Sequence, residues 1–241
     1  MSTKILFVFE GEKTEEQIVS NLQTFFVNEN TTIKCVYGAE IYQIYKEIVA
    51  DDDLDTFNLL KERNLKNEAI LSSYDRDDFA EIYMFFDYDG HSTLADDGKL
   101  KELLEFFKEE TDKGKLYISY PMVEALKHVS DYETFKDLTV ECKENISYKN
   151  IVHNSCIKDL SNFTNYNLKT WKQLINSHLK KMNFIVNNSF IFPNDLISQF
   201  IIFSKQSEKY ININSTVAVL SAFPIFLHDY YGNDKIKKNI E

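Results

Sequence analysis

The sequence predicts an α/β protein: a central, mainly parallel sheet flanked by helices, followed by a mainly helical C-terminal annex. Three observations carry this. In the first half, short and nearly continuous apolar runs alternate with segments of helical periodicity, and strands that alternate with helices build parallel sheets. Glycine (6) and proline (3) are scarce among 241 residues, too few for an all-β chain with many tight turns. Beyond about residue 130 the apolar positions recur mostly at helical spacing.

The elements follow in order. Lys4 to Phe9 reads as a strand buried on both faces. Gly11 permits a turn, Thr14 reads as an N-cap, and Ile18, Leu22, Phe25 and Phe26 mark one face of a helix. Thr32 to Tyr37 is a second strand, and Ala39 to Ala50 a helix with Ile41, Ile44, Tyr45 and Ile48 on one face. The acidic stretch from Asp51 opens a polar, helical insertion over about 51–78. Ile82 to Phe86 is the strongest strand signal and stops at Asp87. Leu100 to Phe107 is helical with Gly114 as its stop, Leu116 to Ile118 is a short strand, and Pro121 opens a further helix. In the annex, Leu168 to Met182, Leu196 to Tyr210 and Val217 to Tyr231 read as helices, and Phe184 to Phe192 leaves room for a strand. This organisation gives a first domain over 1–135 and a helical region over 136–241, with the boundary in 130–150.

Hydrophobic residues make up 44% and charged residues 27%, a globular rather than a disordered composition. The longest apolar run, Val217 to Leu227, carries Pro224 and falls short of the roughly 20 residues that cross a bilayer. The N-terminal residues do not read as a signal peptide. Cys35, Cys142 and Cys156 are odd in number and widely spaced, which fits neither a disulfide framework nor a zinc cluster. A cytoplasmic protein with reduced thiols is expected. The net charge of −11 argues against a nucleic-acid partner, but the charge is unevenly distributed along the chain. Residues 1–130 hold 27 acidic and 14 basic side chains, a balance of −13, and residues 131–241 hold 11 and 13, a balance of +2. Lys143 to Lys181 contains seven lysines against Glu144 and Asp159. An acidic module joined to a mildly basic one suits a metal site beside a surface that meets a polyanion, although solvated faces share this composition.

The informative carboxylates are those that follow strands. Glu10 follows the first strand, Asp87 and Asp89 follow the strongest, and Glu124 lies shortly after the Leu116 strand. In parallel sheets functional groups gather at the carboxyl ends of strands. Two unit charges 4 Å apart repel by about 4 kcal/mol at an effective dielectric of 20, so a carboxylate cluster calls for a cation, and hard oxygen ligands select Mg²⁺ or Mn²⁺. Asp-x-Asp also occurs at Asp51/Asp53, Asp53/Asp55 and Asp75/Asp77, but only Asp87/Asp89 caps a hydrophobic strand.

Phe9-Glu10-Gly11-Glu12-Lys13-Thr14-Glu15, then Phe86-Asp87-Tyr88-Asp89, then Ser119-Tyr120-Pro121-Met122-Val123-Glu124 together resemble the Toprim signature of RloB-like proteins. That group sits among the Toprim nucleases of bacterial phage-defence systems that include the OLD-type enzymes. The resemblance covers roughly residues 4–130. It implies a Toprim-like sheet and Mg²⁺-dependent phosphodiester chemistry, with Glu10, Asp87 and Asp89 as the metal-binding and catalytic carboxylates and Glu124 as a further ligand. It also implies an AAA or SMC-like ATPase as partner. Tyr120 stands where the family pattern has Asn, which makes Glu124 the loosest match.

Other candidates admit two readings each. Lys13 beside Glu10 either neutralises a phosphate oxygen or pairs with Glu12 or Glu15. Glu15 is a carboxylate behind the metal ligands or an acid in a first helical turn. His91 is a general base or a polar loop residue. His128 reads as a helix-end residue, and His153, His178 and His228 have no zinc spacing. Lys169, Trp171, Lys172, His178, Lys180 and Lys181 lie along one helix, where the lysines track a nucleic-acid backbone or make a solvated face with Trp171 inward. Tyr230 and Tyr231 read as core or as a contact between copies, which leaves a homodimer open. The leading expectation is a Mg²⁺-dependent nuclease acting on DNA or RNA, tRNA included. The alternatives are a Toprim-fold effector or regulatory subunit controlled by an ATPase, and a binding module without catalysis.

Overall fold

The computed structural model describes residues 3–27, 31–37, 41–50 and 55–240. The Asp51/Asp53 motif and the first residues of the Ala39 helix lie outside them, as does the side chain of Cys35. Strands β1 (Thr3–Phe9), β2 (Thr31–Tyr37) and β3 (Glu81–Asp87) alternate with helices α1 (Lys13–Phe26), α2 (Ile41–Ala50), α3 (Thr56–Glu62) and α4 (Leu65–Leu71). Helix α5 (Asp97–Phe106), the two-residue strand β4 (Lys108–Glu109) and strand β5 (Gly114–Ser119) follow. These strands form one sheet in the order β2-β1-β3-β5-β4. β1 is parallel to β2 and to β3, with Phe9 opposite Tyr37 and Phe85, while β4 is antiparallel to β5. The α/β class with a mostly parallel sheet and flanking helices is thus as expected.

The chain divides into two compact units, residues 1–86 with 96–116 and residues 87–95 with 117–241. The division falls earlier than the expected 130–150, and the segment after β3 goes with the C-terminal part. In the first unit, residues Ile5 to Phe9 of β1 are all buried, as a strand covered on both faces requires. Phe7 packs on Phe85 and Phe9 on Phe85, with ring centroids 5.2 and 5.5 Å apart. Ile18, Val19, Leu22 and Phe26 are the buried stripe of α1, whereas Phe25 lies at its exposed margin. The helix begins at Lys13, one residue before the expected cap at Thr14, with Glu12 as its N-cap. The insertion is helical but not wholly polar. Asp55 and Asn64 cap α3 and α4, and Phe57, Leu60 and Leu71 are buried. Asp75 belongs to the cap of a 3-10 turn, Arg76–Asp78, so that Asp-x-Asp copy is structural.

Gly114 does not stop α5, which ends at Phe106. It opens β5 at φ +112, where a side chain would press on Ile82 within 3.1 Å. Pro121 opens only a 3-10 turn, Val123–Leu126, in place of the expected helix. All four of its residues are buried, and this packing overrides helical propensity.

The second unit contains β6 (Thr139–Glu141), α6 (Tyr148–Ser155), α7 (Leu168–Asn187), α8 (Gln199–Gln206), a π-helical turn (Ser207–Ile211), α9 (Asn212–Asn214), β7 (Thr216–Ala218), α10 (Ala222–Tyr231) and α11 (Asn233–Ile240). β6 and β7 pair antiparallel. Two expectations fail here. Phe184 to Asn187 continue α7, which closes on left-handed Asn188, so a strand within 184–192 is absent. Val217 to Ala218 is strand, not helix, because Gln206 binds Ala218 through both its carboxamide oxygen and its nitrogen, as a neighbouring strand would. Among the described residues no helix is long and apolar enough to cross a membrane.

Candidate active site

The site starts where β3 runs out. Five buried residues, Ile82 to Phe86, end at half-buried Asp87. The next residue, Tyr88, is fully buried, and its N–H donates to the carbonyls of Ser119 and Pro121 at 3.0 Å each. The chain just past β3 is thereby sewn to the chain just past β5. The Tyr88 hydroxyl accepts from Lys143 Nζ at 2.9 Å, and its ring lies 5.3 Å from the same ammonium. Asp89 takes a left-handed backbone, φ 40, which Asp tolerates better than most residues. Gly90 is obligatory for space: a Cβ there would lie 2.5 Å from Tyr88 Cε1 and 2.7 Å from the Cys142 carbonyl.

Glu124 sits in the 3-10 turn after Pro121 at 5% exposure. Its Oε2 is buried and has no hydrogen-bond partner among the described residues, and Lys149 Nζ stands 3.6 Å from Oε1. A buried carboxylate half served by an exposed lysine is an unfavourable arrangement in the absence of a further cation or donor. Next to it lies the phenol of Tyr148, raised well above its usual pKa of 10.0 by burial and then by the charges of Glu124 and Asp87. The phenol therefore keeps its proton and donates to His128 Nδ1 at 2.8 Å. Burial, and after it the Lys181 charge, pushes His128 down to about 4, so the ring is neutral and accepts. Asp87 and Glu124, expected as partners from sequence, thus bear on one buried hydroxyl.

Asp89 and His91 line an adjoining cleft of about 230 Å³, with the His91 ring 3.9 Å from the Asp89 carboxylate. The cleft's other walls are Pro121, Met122 and the segment from Glu141 to Asn150. Every lining residue belongs to the second unit.

Glu10 belongs to the first unit, half-buried, directly after β1. Phe9, the residue before Glu10, is in register with Phe85 of β3. Glu15 is buried, and its carboxylate packs against Gly11, 2.9 Å from where a side chain there would begin. Lys13 is exposed at the start of α1. Among the described residues, no three His, Cys, Asp or Glu side chains converge closely enough to hold a metal by themselves.

The basic helix is only partly a surface. At 3.6 residues per turn, Lys169, Lys172 and Lys180 share one side of α7 and are exposed or half-exposed. Lys181 does not belong with them. It is fully buried and donates to the carbonyls of Phe135 and Leu138 at 2.8 and 2.6 Å. Trp171 and His178 are equally buried, so the inward reading of Trp171 is correct. His178 Nδ1 accepts from Ser221 N–H at 3.2 Å while Nε2 faces the Leu126 carbonyl at 3.3 Å. Cys142 and Cys156 are free thiols.

Sequence reasoning missed Tyr148 and treated Lys149 only as one charge in a basic half. Neither carries a local signal, because each acquires its role from a turn about 25 residues earlier in the chain (Tyr148 with Glu124 and His128). No protein-family model matches the chain, and neither does any curated protein or solved structure.

Proposed function

We propose that this chain is a divalent-metal-dependent phosphodiesterase of the Toprim kind, a nuclease acting on DNA or RNA. The observation that carries the reading is the buried Oε2 of Glu124, without a hydrogen-bond partner among the described residues, together with the bearing of both the Glu124 and the Asp87 charge on the Tyr148 hydroxyl at the carboxyl ends of β3 and β5. Mg²⁺ is commonly held by one or two carboxylates, with water and substrate phosphate completing the shell. A pair of acidic side chains with a bare oxygen therefore fits it, and a protein cage of three is not required. Asp87 and Glu124 are the ligands in this reading, with Asp89 and Glu10 as further carboxylates from the resemblance. The ion would supply Lewis acidity toward a phosphoryl oxygen and a more acidic bound water.

The chain's own residues divide the remaining work. Lys149, two-thirds exposed and tethered at Glu124, is placed to receive a phosphate oxygen. Tyr148 holds its proton against two carboxylates and, through His128, fixes the start of α6. His91 on the cleft is the group available to take a proton from water near Asp89. Lys13 remains a second cation for phosphate, and Lys169, Lys172 and Lys180 a path for the backbone of a nucleic acid. An ATPase partner, a homodimer and a cytoplasmic role in phage defence complete the proposal on the strength of the resemblance.

The test is incubation of the purified chain with plasmid, single-stranded DNA and total tRNA, with Mg²⁺ or Mn²⁺ and with chelator. Metal-dependent cleavage, lost by about a hundredfold or more in Asp87→Asn and Glu124→Gln while circular dichroism is unchanged, supports it. Equal cleavage by either folded variant overturns it.

A further inference from the structure

The cleft beside the carboxylates is built as a ligand site. Its volume of about 230 Å³ far exceeds the 10–15 Å³ that a single water needs. Its walls are fixed in advance. Asp89 N–H donates to the Pro121 carbonyl at 3.4 Å, Cys142 N–H to the Ser215 carbonyl at 2.9 Å, and Ser147 N–H to Asn145 Oδ1 at 3.0 Å. Gly90 packs against the Cys142 carbonyl with no room for a side chain. Among the described residues four non-glycine residues have positive φ, and two of them, Asp89 (φ 40) and Ser147 (φ 52), line this cleft. The other two, Asn188 and Ser215, close helices α7 and α9. Ser147 in turn is the N-cap of α6, so of these four it is Asp89 that lies away from a helix end, and strained backbone of that kind collects where a surface is shaped for a ligand.

The lining has two chemistries. Pro121, Cys142 and Tyr148 are buried, with Met122 and Ile146 half-buried beside them, and together they offer an apolar floor. Asp89, Glu141 and Glu144 offer carboxylate oxygens, which accept hydrogen bonds. The Asn145 oxygen is engaged by Ser147, which leaves its amide N–H groups to donate. Three acids against Lys149 and His91 repel a phosphate from the cleft's interior. A flat, neutral ring with an amino donor and a neighbouring ring acceptor satisfies both surfaces.

We propose that the cleft binds a nucleobase carrying an exocyclic amino group, cytosine, adenine or guanine, from an unpaired strand whose phosphate lies toward Lys149. Carboxylates accept from the cytosine amino group, and a carboxamide reads adenine through paired contacts. Uracil and thymine present a carbonyl at the same position and meet the carboxylates acceptor to acceptor. A base reaches such a cleft only from a single strand or after leaving its stack. The proposal rests on the nuclease reading of the adjoining carboxylates and names the substrate class that this reading leaves open.

The test is calorimetric titration of the full chain, without divalent metal, with CMP, AMP, GMP, UMP and ribose 5-phosphate. Expected is binding of CMP, AMP or GMP about tenfold tighter than UMP, with ribose 5-phosphate weaker still. Filling the floor with Ile146→Trp removes this binding. Glu141→Gln with Glu144→Gln, both on the exposed rim and so compatible with folding, narrows the gap between CMP and UMP. Equal binding of UMP, binding of ribose 5-phosphate as tight as that of the nucleotides, an unaffected Ile146→Trp, or no binding at millimolar nucleotide each overturns the proposal. Hydrolysis of bis(4-nitrophenyl) phosphate by the wild-type chain with Mn²⁺ reads the nuclease assignment separately. No hydrolysis alongside intact base binding removes that assignment and leaves the base site standing.

Discussion

At Glu124 a carboxylate is 5% exposed, with one oxygen unpaired among the described residues and the other 3.6 Å from a surface lysine. Evolution toward stability alone does not leave a charge in that state, since an amide of the same shape avoids most of the desolvation. Glu124→Gln should therefore stabilise the metal-free protein by about 1 kcal/mol even as it abolishes cleavage, read as a rise in the urea midpoint at unchanged slope. Lys149→Met takes away the cation that stands 3.6 Å from Glu124, and it should destabilise the metal-free protein and lose this penalty when Mn²⁺ is added. The carboxylates were legible in sequence because each follows a strand. Tyr148 and His128 were not, because their meaning comes from the 2.8 Å hydrogen bond between them and the acids nearby. Lys181 misled for a related reason: its charge suggested a surface, but its angular position on α7 is on the side of Trp171 and His178, and two carbonyls take its protons.

At the scale of elements, continuous apolar runs announced β1, β3 and β5, and helical spacing announced α1, α2 and α7. What stayed hidden were segments decided by distant partners. β6 and β7 are three residues each and exist because they pair with one another. The helix expected after Pro121 is a single 3-10 turn because all four of its residues are packed. The loop after β3 depends on one close approach, and Gly90→Ala drives a methyl group into backbone at the Cys142 carbonyl, which cannot swing away. Gly90→Ala should destabilise by about 1–3 kcal/mol, visible in thermal unfolding, and should lower cleavage more than Gly98→Ala, an exposed position of α5 where the added methyl meets the end of the Asp96 side chain.

At the scale of the molecule, the charge asymmetry follows the chain: the balance of −13 over residues 1–130 gives way to +2 over 131–241. Stability carries its own pH signature from buried histidines, His128 and His178 foremost, with His228 also lowered by burial. Burial holds His178 down at about 3 and His128 at about 4, against 6.5 unfolded. The fold keeps both neutral, so below pH 6.5 the unfolded chain binds more protons than the folded one and stability rises with pH. Their contribution is complete above about 6.5 and is lost as pH falls toward 4 and 3. Urea unfolding at pH 7.5, 6 and 5 should show a steady loss, and His178→Gln should flatten the profile over that window while lowering stability at pH 7.5. The most direct measurement of the central claim is Mn²⁺ binding followed by electron paramagnetic resonance on the intact chain. Saturable binding to the wild type, weakened about tenfold or more in both Asp87→Asn and Glu124→Gln, is the expected result. Equal affinity in all three proteins, or no binding to any, contradicts a divalent ion held between these two carboxylates.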